Sequence, residues 1–288
     1  PCFAEYAGEF RYENPVLGAD CLVVIISQSG ETADSLAALK QAREQGARTI
    51  SIVNVAESSI AKMSEYSLLT KAGPEIAVAT TKAFSCQAAM LNMLCLSIAL
   101  RRGACSSVFA EIALNMSLLL PKKMERILND TEKIKKLAKR IKDTDKCFFL
   151  GRNADYAAAL EGALKLKEIS YIDCVGCPAS ELKHGTISLI ENGTVCFGII
   201  SNSRLLPKTV SNLQEVISRG ADVTVFAPES LAQSLGRFNT VITYPDSIPF
   251  LTPSLEIVPL QLLAYYTAKE KGLPIDKPRN LAKSVTVE

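Results

Sequence analysis

Two stretches of the chain repeat one alternation of apolar and polar positions. From Leu22 the run LVVIIS is almost wholly apolar. It breaks into Gln28-Ser29-Gly30-Glu31-Thr32, and apolar residues at helical spacing follow as far as Gly46. From Cys196 the run CFGIIS breaks into Asn202-Ser203-Arg204-Leu205-Leu206, and a second helical pattern runs to Gly220. One fixed shift lays Ile25 and Ile26 on Ile199 and Ile200, Ser27 and Ser29 on Ser201 and Ser203, Leu39 on Leu213, and Gly46-Ala47 on Gly220-Ala221. Each copy predicts a strand, a polar turn, a helix of about four turns, a glycine stop and a second strand. Glycine just past a helix supplies the left-handed cap. Strands alternating with helices predict an α/β protein: two tandem, doubly wound parallel-sheet lobes, each a three-layer α/β/α stack.

The second lobe opens with a strand, KCFFLG (Lys146–Gly151), and a helix over Tyr156–Ser170. The same shift puts the first lobe's counterparts ahead of residue 1. The expectation is therefore a first lobe lacking its opening strand and helix, in a chain that is part of a longer one, with CFAEYAGEFRY reading as a later strand. Leu114–Leu128 and Asp130–Lys142 have helical spacing, the latter Lys-rich, which marks a solvated face. The expected organisation is a first lobe over 1–106, a helical linker over 107–137, a second lobe over 138–278 and a terminal tail over 279–288. Ala83–Leu100 is the most apolar stretch, but Ser85, Gln87, Asn92 and Ser97 interrupt it. It is short for a membrane span and reads as a buried core helix, with no membrane partner.

Composition narrows the function. The formal net charge is +2 with the basic residues spread out, and there is no Trp. Neither a basic nucleic-acid face nor a base-stacking platform is signalled. Nine cysteines lie at irregular spacing, which suggests reduced thiols in a cytoplasmic protein. Cys174-Val-Gly-Cys177 is the one CxxC. With a single His in the chain it does not make a closed zinc site, and it reads as two small apolar residues in a loop, with a redox role as the alternative. No metal or organic cofactor is signalled.

The chemistry gathers at strand ends, where open parallel sheets take their ligands. Ser27, Ser29 and Thr32 add hydroxyls to a helix N-terminus, and Gly30 lets the backbone come close. That describes an anion cradle, most simply for phosphate. Without a Walker lysine or GxGxxG spacing, nucleotide polyphosphates are less favoured, and plain N-capping is the bland alternative. In the second copy Arg204 replaces Gly30 and Leu206 replaces Thr32, so that turn keeps the fold and loses the cradle. Glu161, Lys165 and Glu168 share one helix face, either as a surface ion pair or as a carboxylate and an amine aimed at a substrate. His184 is the only histidine and sits in a polar loop. Lys283 lies among Leu281, Ala282 and Val285, where a desolvated lysine could form a Schiff base.

SQSGETADSL, AVATTKAF, LEGALKLKEISYI, ELKHG and the ending PRNLAKSVTVE occur in this order over essentially the whole chain. Together they resemble the glutamine–fructose-6-phosphate aminotransferase family, in its isomerase half of two sugar isomerase (SIS) lobes. The resemblance implies that Ser27, Gln28, Ser29 and Thr32 hold phosphate and that Val78, Thr80 and Ala282 line the sugar. It implies that Glu168 moves a proton between C1 and C2, with Lys165 assisting near the enolate oxygen. His184 would open the ring from the neighbouring subunit of a homodimer. Lys283 would form the Schiff base with fructose 6-phosphate, and the carboxylate of Glu288 would assist ring opening. Ammonia would come from a glutaminase domain, and the product would be glucosamine 6-phosphate, which starts hexosamine biosynthesis. The family commonly has Ser at the position of Thr80. It also has Gly and Pro where Ser180 and Thr186 stand here, a different loop around Cys174 and Cys177, and a CGTS motif in the opening strand and helix. The alternatives are a non-catalytic SIS-type sugar-phosphate regulator, which would need only the cradle, or an inactive fragment.

Overall fold

A computed structural model describes residues 1–283. The chain divides into two compact units, one of Pro1–Ile98 with the stretch from Arg279, the other of Ala99–Pro278.

In the first unit a short helix α1 (Ala7–Phe10) precedes β1 (Leu22–Ser27), α2 (Ala33–Glu44), β2 (Arg48–Val53), α3 (Ser59–Met63), β3 (Tyr66–Leu69) and α4 (Lys82–Arg101). The strands form one parallel sheet in the order β1-β2-β3, with Ser27 beside Val53 and Val53 beside Leu69. All three strands therefore end together, and the following turns share one edge. Gly46, with φ +83°, closes α2 in the left-handed conformation that only glycine adopts at no cost. The core is Ile25, Ala38, Leu39, Val53 and Ile60, drawn from the apolar stripe of each element.

Two expectations fail in this unit. Residues 2–12 hold no strand; the extended stretch before Tyr6 leads into α1. A strand needs a ladder partner for its N–H and C=O groups, and this segment pairs with none of the described strands. The stretch 83–100 is helical, yet only Ala83 in α4 is buried. Its apolar side chains are mostly half-covered among the described residues, so it is not a core helix. By length and composition α4 is the one described helix that could cross a membrane.

The second unit adds α5 (Ser107–Leu118), α6 (Leu120–Asn129) and α7 (Glu132–Ile141). It continues with β4 (Lys146–Gly151), α8 (Ala154–Ser170), β5 (Asp173–Pro178), β6 (Val195–Ile199), α9 (Leu206–Ile217), β7 (Asp222–Pro228), β8 (Thr240–Tyr244) and α10 (Pro253–Glu270). Its five strands are parallel in the order β5-β4-β6-β7-β8. Strands buried on both faces read as unbroken apolar runs, and β6 is buried throughout. Phe149, Phe197 and Phe226 meet on one face across β4, β6 and β7, tilted and then edge-on, with ring centroids 4.6 and 6.1 Å apart. On one side α8 packs on α10 where Gly162 sits. A Cβ there would come within 2.8 Å of a Leu260 methyl, so the glycine sets how closely the two helices approach. β6, α9 and β7 repeat β1, α2 and β2, as the fixed shift predicts.

Cys174 and Cys177 lie on β5 and are buried, not in a loop. Three residues apart on a strand, they point to opposite faces and cannot pair with each other. Cys174 Sγ instead lies 3.2 Å from Cys147 Sγ on the neighbouring strand. Burial pushes the Cys177 thiol up to about 11, which removes the thiolate that redox chemistry needs.

Candidate functional site

In the first unit the end of β1 is built from small polar groups. Ser27 is buried, and its Oγ accepts from the Gly30 N–H at 3.1 Å and shares a hydrogen with Thr32 Oγ1 at 3.0 Å. Glu31 N–H donates to Ser29 Oγ at 3.2 Å. Thr32 precedes α2, but its side chain does not cap the helix. The hydroxyl is turned to Ser27 instead, which argues against plain N-capping. Gly30 has φ +69°, and a Cβ there would meet Ser58 Oγ at 2.1 Å. Both the turn and the close approach therefore demand glycine. The Glu31 carboxylate accepts from Ser59 N–H at 2.8 Å, a bond that lowers its pKa and ties the turn to α3.

The segment after β3 is stitched to β2 by Asn54. Its Oδ1 accepts from Thr70 Oγ1 and Ala72 N–H at 3.1 and 2.8 Å, and its Nδ2 donates to Gly73 O at 2.8 Å. Glu75 accepts from Ala83 N–H at 3.0 Å, capping α4. Between these anchors lie half-buried Val78 and Thr80. The Lys283 Nζ donates to Ala77 O at 2.9 Å and to Thr80 Oγ1 at 3.2 Å. Ala282 beside it is exposed. Glu288 lies outside the described residues.

The second unit holds the other candidates. Lys165 is 5 % exposed, and its Nζ lies 2.7 Å from Glu168 Oε2 and 3.6 Å from Glu161 Oε1. A lysine this buried between two carboxylates is not an exposed surface pair. Burial raises Glu161 to about 6, opposed by the Lys165 charge. His184 ends the 3-10 turn Ala179–His184 and is exposed, ahead of Gly185. Among the described residues no three His, Cys, Asp or Glu side chains gather to hold a metal ion.

One polar cluster escaped the sequence reading. Asp155, in the first turn of α8, accepts from Ser201 N–H at 3.1 Å and from the Ser201 hydroxyl. Glu256, in the first turn of α10, is fully buried and accepts from Tyr244 O–H at 3.1 Å. Burial first, then the Asp155 charge, raise Glu256 to about 8. Its sign in the sequence was an acid set in the apolar run PSLEIVPLQLL.

The SIS domain model matches residues 1–97 and 140–270. A solved structure described as the C-terminal domain of glucosamine-fructose-6-phosphate aminotransferase from Francisella tularensis is 37% identical. It superposes with a TM-score of 0.90 over 96% of this chain and 79% of that one. The chain belongs to the SIS domain family and, within it, groups with the C-terminal domains of these aminotransferases. A glutamine--fructose-6-phosphate aminotransferase [isomerizing] of Caldanaerobacter subterraneus subsp. tengcongensis is 48% identical over 100% of this chain and 47% of its own length. The chain thus spans about half the length of the curated relatives it matches. A glucosamine-6-phosphate deaminase structure from Thermotoga maritima shares the fold at 26% identity and a TM-score of 0.70, over 97% of this chain and 80% of that one.

Proposed function

We propose that the chain is the isomerase half of a glutamine–fructose-6-phosphate aminotransferase, acting on fructose 6-phosphate and yielding glucosamine 6-phosphate. The observation that carries this reading is Lys283. Its amine is held by Ala77 O and Thr80 Oγ1 within the unit that also carries the hydroxyl cradle. Ser27, Gln28, Ser29 and Thr32, with the N-terminus of α2, anchor the phosphate. Val78, Thr80 and Ala282 line the sugar.

The Lys283 amine condenses with the C2 carbonyl of the open ketose and releases water, which makes C2 more electrophilic. Ammonia then adds at C2 and displaces the lysine. Glu168 takes the proton from C1 and returns it at C2, giving the aldose. Lys165, bonded to Glu168 at 2.7 Å, orients that carboxylate and offers positive charge to the enolate oxygen. His184 opens the ring, supplied by the second chain of a homodimer. A glutaminase domain supplies the ammonia, and the reaction is cytoplasmic.

Borohydride reduction in the presence of fructose 6-phosphate tests this reading. A sugar-phosphate adduct on Lys283, located by mass spectrometry of its peptide, is the expected result. An adduct elsewhere, or none, would overturn it and favour a non-catalytic sugar-phosphate sensor.

A further inference from the structure

The second sheet reverses its strand order between β4 and β6. Open parallel sheets take ligands in the crevice outside the strand ends at such a point. Here α8, which follows β4, and the turn after β6 meet through Asp155 and Ser201. Ser201 is the counterpart of Ser27, the residue that ends β1 in the first lobe. Its backbone N–H donates to one Asp155 oxygen at 3.1 Å and its hydroxyl donates to the other. Asp155 is 1 % exposed, and among the described residues no cation pairs with it. The nearby Arg152 guanidinium is spent on Asn212 Oδ1, at 2.8 and 3.1 Å. An amide, a hydroxyl and a helix N-terminus around two carboxylate oxygens are the donors a bound phosphate would be given.

We propose that Asp155 is a built-in anion: its carboxylate fills the strand-end seat of the second lobe and thereby confines phosphate binding to the first. The inference rests on the reading that the first lobe holds the phosphate. It changes the account of the second turn. Arg204 and Leu206 alter the loop, but the seat itself is taken from behind, by the first turn of α8. Glu256 agrees with this. Among the described residues its Oε1 is buried with no hydrogen-bond partner and its Oε2 receives only Tyr244 O–H. Burial raises Asp155 as well, but its two hydrogen bonds from Ser201 oppose that rise, whereas Glu256 receives one donor, so of the two acids Asp155 is the one placed to carry the charge. A phosphate beside them would add like charge in a desolvated place, which opposes its binding.

The test follows Ser29 and Ser201 backbone amides by NMR in the intact protein, titrated with inorganic phosphate. In the wild type the Ser29 amide shifts and the Ser201 amide stays. In Asp155→Ser the Ser201 amide shifts too, with affinity at that seat raised about tenfold or more. A folded Asp155→Ser whose Ser201 amide ignores phosphate overturns the proposal, as does a wild type whose Ser201 amide already responds. Failure of Ser29 to shift in the wild type counts against the first-lobe reading instead, so the two failures are distinguishable. Should Asp155→Ser not fold, the carboxyl carbon of Asp155 in the wild type decides: an ionised signal at neutral pH supports the built-in anion, and a protonated one overturns it.

Discussion

β1 and β6 are two versions of one strand, and they differ in their neighbours. β6 lies between β4 and β7, and every residue in it is buried. β1 is the edge of its sheet, with Leu22 and Ile26 46% and 42% exposed. β1 ends on Ser27 and Ser201 follows β6 in the turn before α9, yet Ser27 faces the Thr32 hydroxyl and Ser201 a carboxylate. A repeated sequence thus fixes the backbone path, while the function of a strand end depends on what the adjacent element brings to it. In the first lobe the strand end meets hydroxyls and backbone N–H groups and, among the described residues, receives no carboxylate from the helix that follows. The second keeps the better-covered sheet and carries the helix with the buried Glu161–Lys165–Glu168 group.

If the lobes divide anchoring and chemistry in this way, Glu168→Gln should lower kcat about 10²- to 10⁴-fold, the usual worth of a general base, with phosphate affinity unchanged. A parallel loss of phosphate binding would break the division. The next largest effect concerns the buried acids. Glu256 is raised from 4.5 to about 8, so the folded state binds its proton more tightly than the unfolded one. That stabilisation is full below pH 4.5 and is lost as pH rises through about 8, a loss of a few kcal/mol. Denaturant titrations of Glu256→Gln should therefore lack this slope, leaving the variant more stable than the wild type above pH 8. An unchanged slope would mean that the acid is ionised in the fold. In the first lobe, Gly30→Ala should cost about 2 kcal/mol through its positive φ and the Ser58 contact, read as a lower unfolding midpoint and a higher KM. The smallest effect concerns the strands themselves. Amides of β1 should exchange with opening free energies about 1–2 kcal/mol below those of β6. Equal protection would show that the edge is covered in solution.

The strand–turn–helix repeat was legible because periodicity and glycine stops are local signals. So was the face of Glu161, Lys165 and Glu168, since helical spacing alone brings them together. The burial of Lys165 was not legible, because it depends on what packs around α8. The absence of a strand over residues 2–12 was hidden for the same reason: strand propensity is realised only with a ladder partner. The Asp155–Ser201 contact joins residues 46 positions apart across a strand reversal, and no window of sequence contains both. Exposure of α4 was misread because an apolar stretch shows what a helix needs, not what it receives.

Gly162 has a mechanical consequence. With no side chain of its own there, α8 seats the Leu260 side chain of α10 and the Phe149 ring of β4 so closely that a Cβ would meet them at 2.8 and 3.1 Å. Lys165 and Glu168 stand one and two turns further along α8, so they are mounted on a stiff beam. Its two ends are set by residues with positive φ, Asn153 and the left-handed Tyr171, so a displacement of α8 would carry Lys165 and Glu168 together and leave their spacing unchanged.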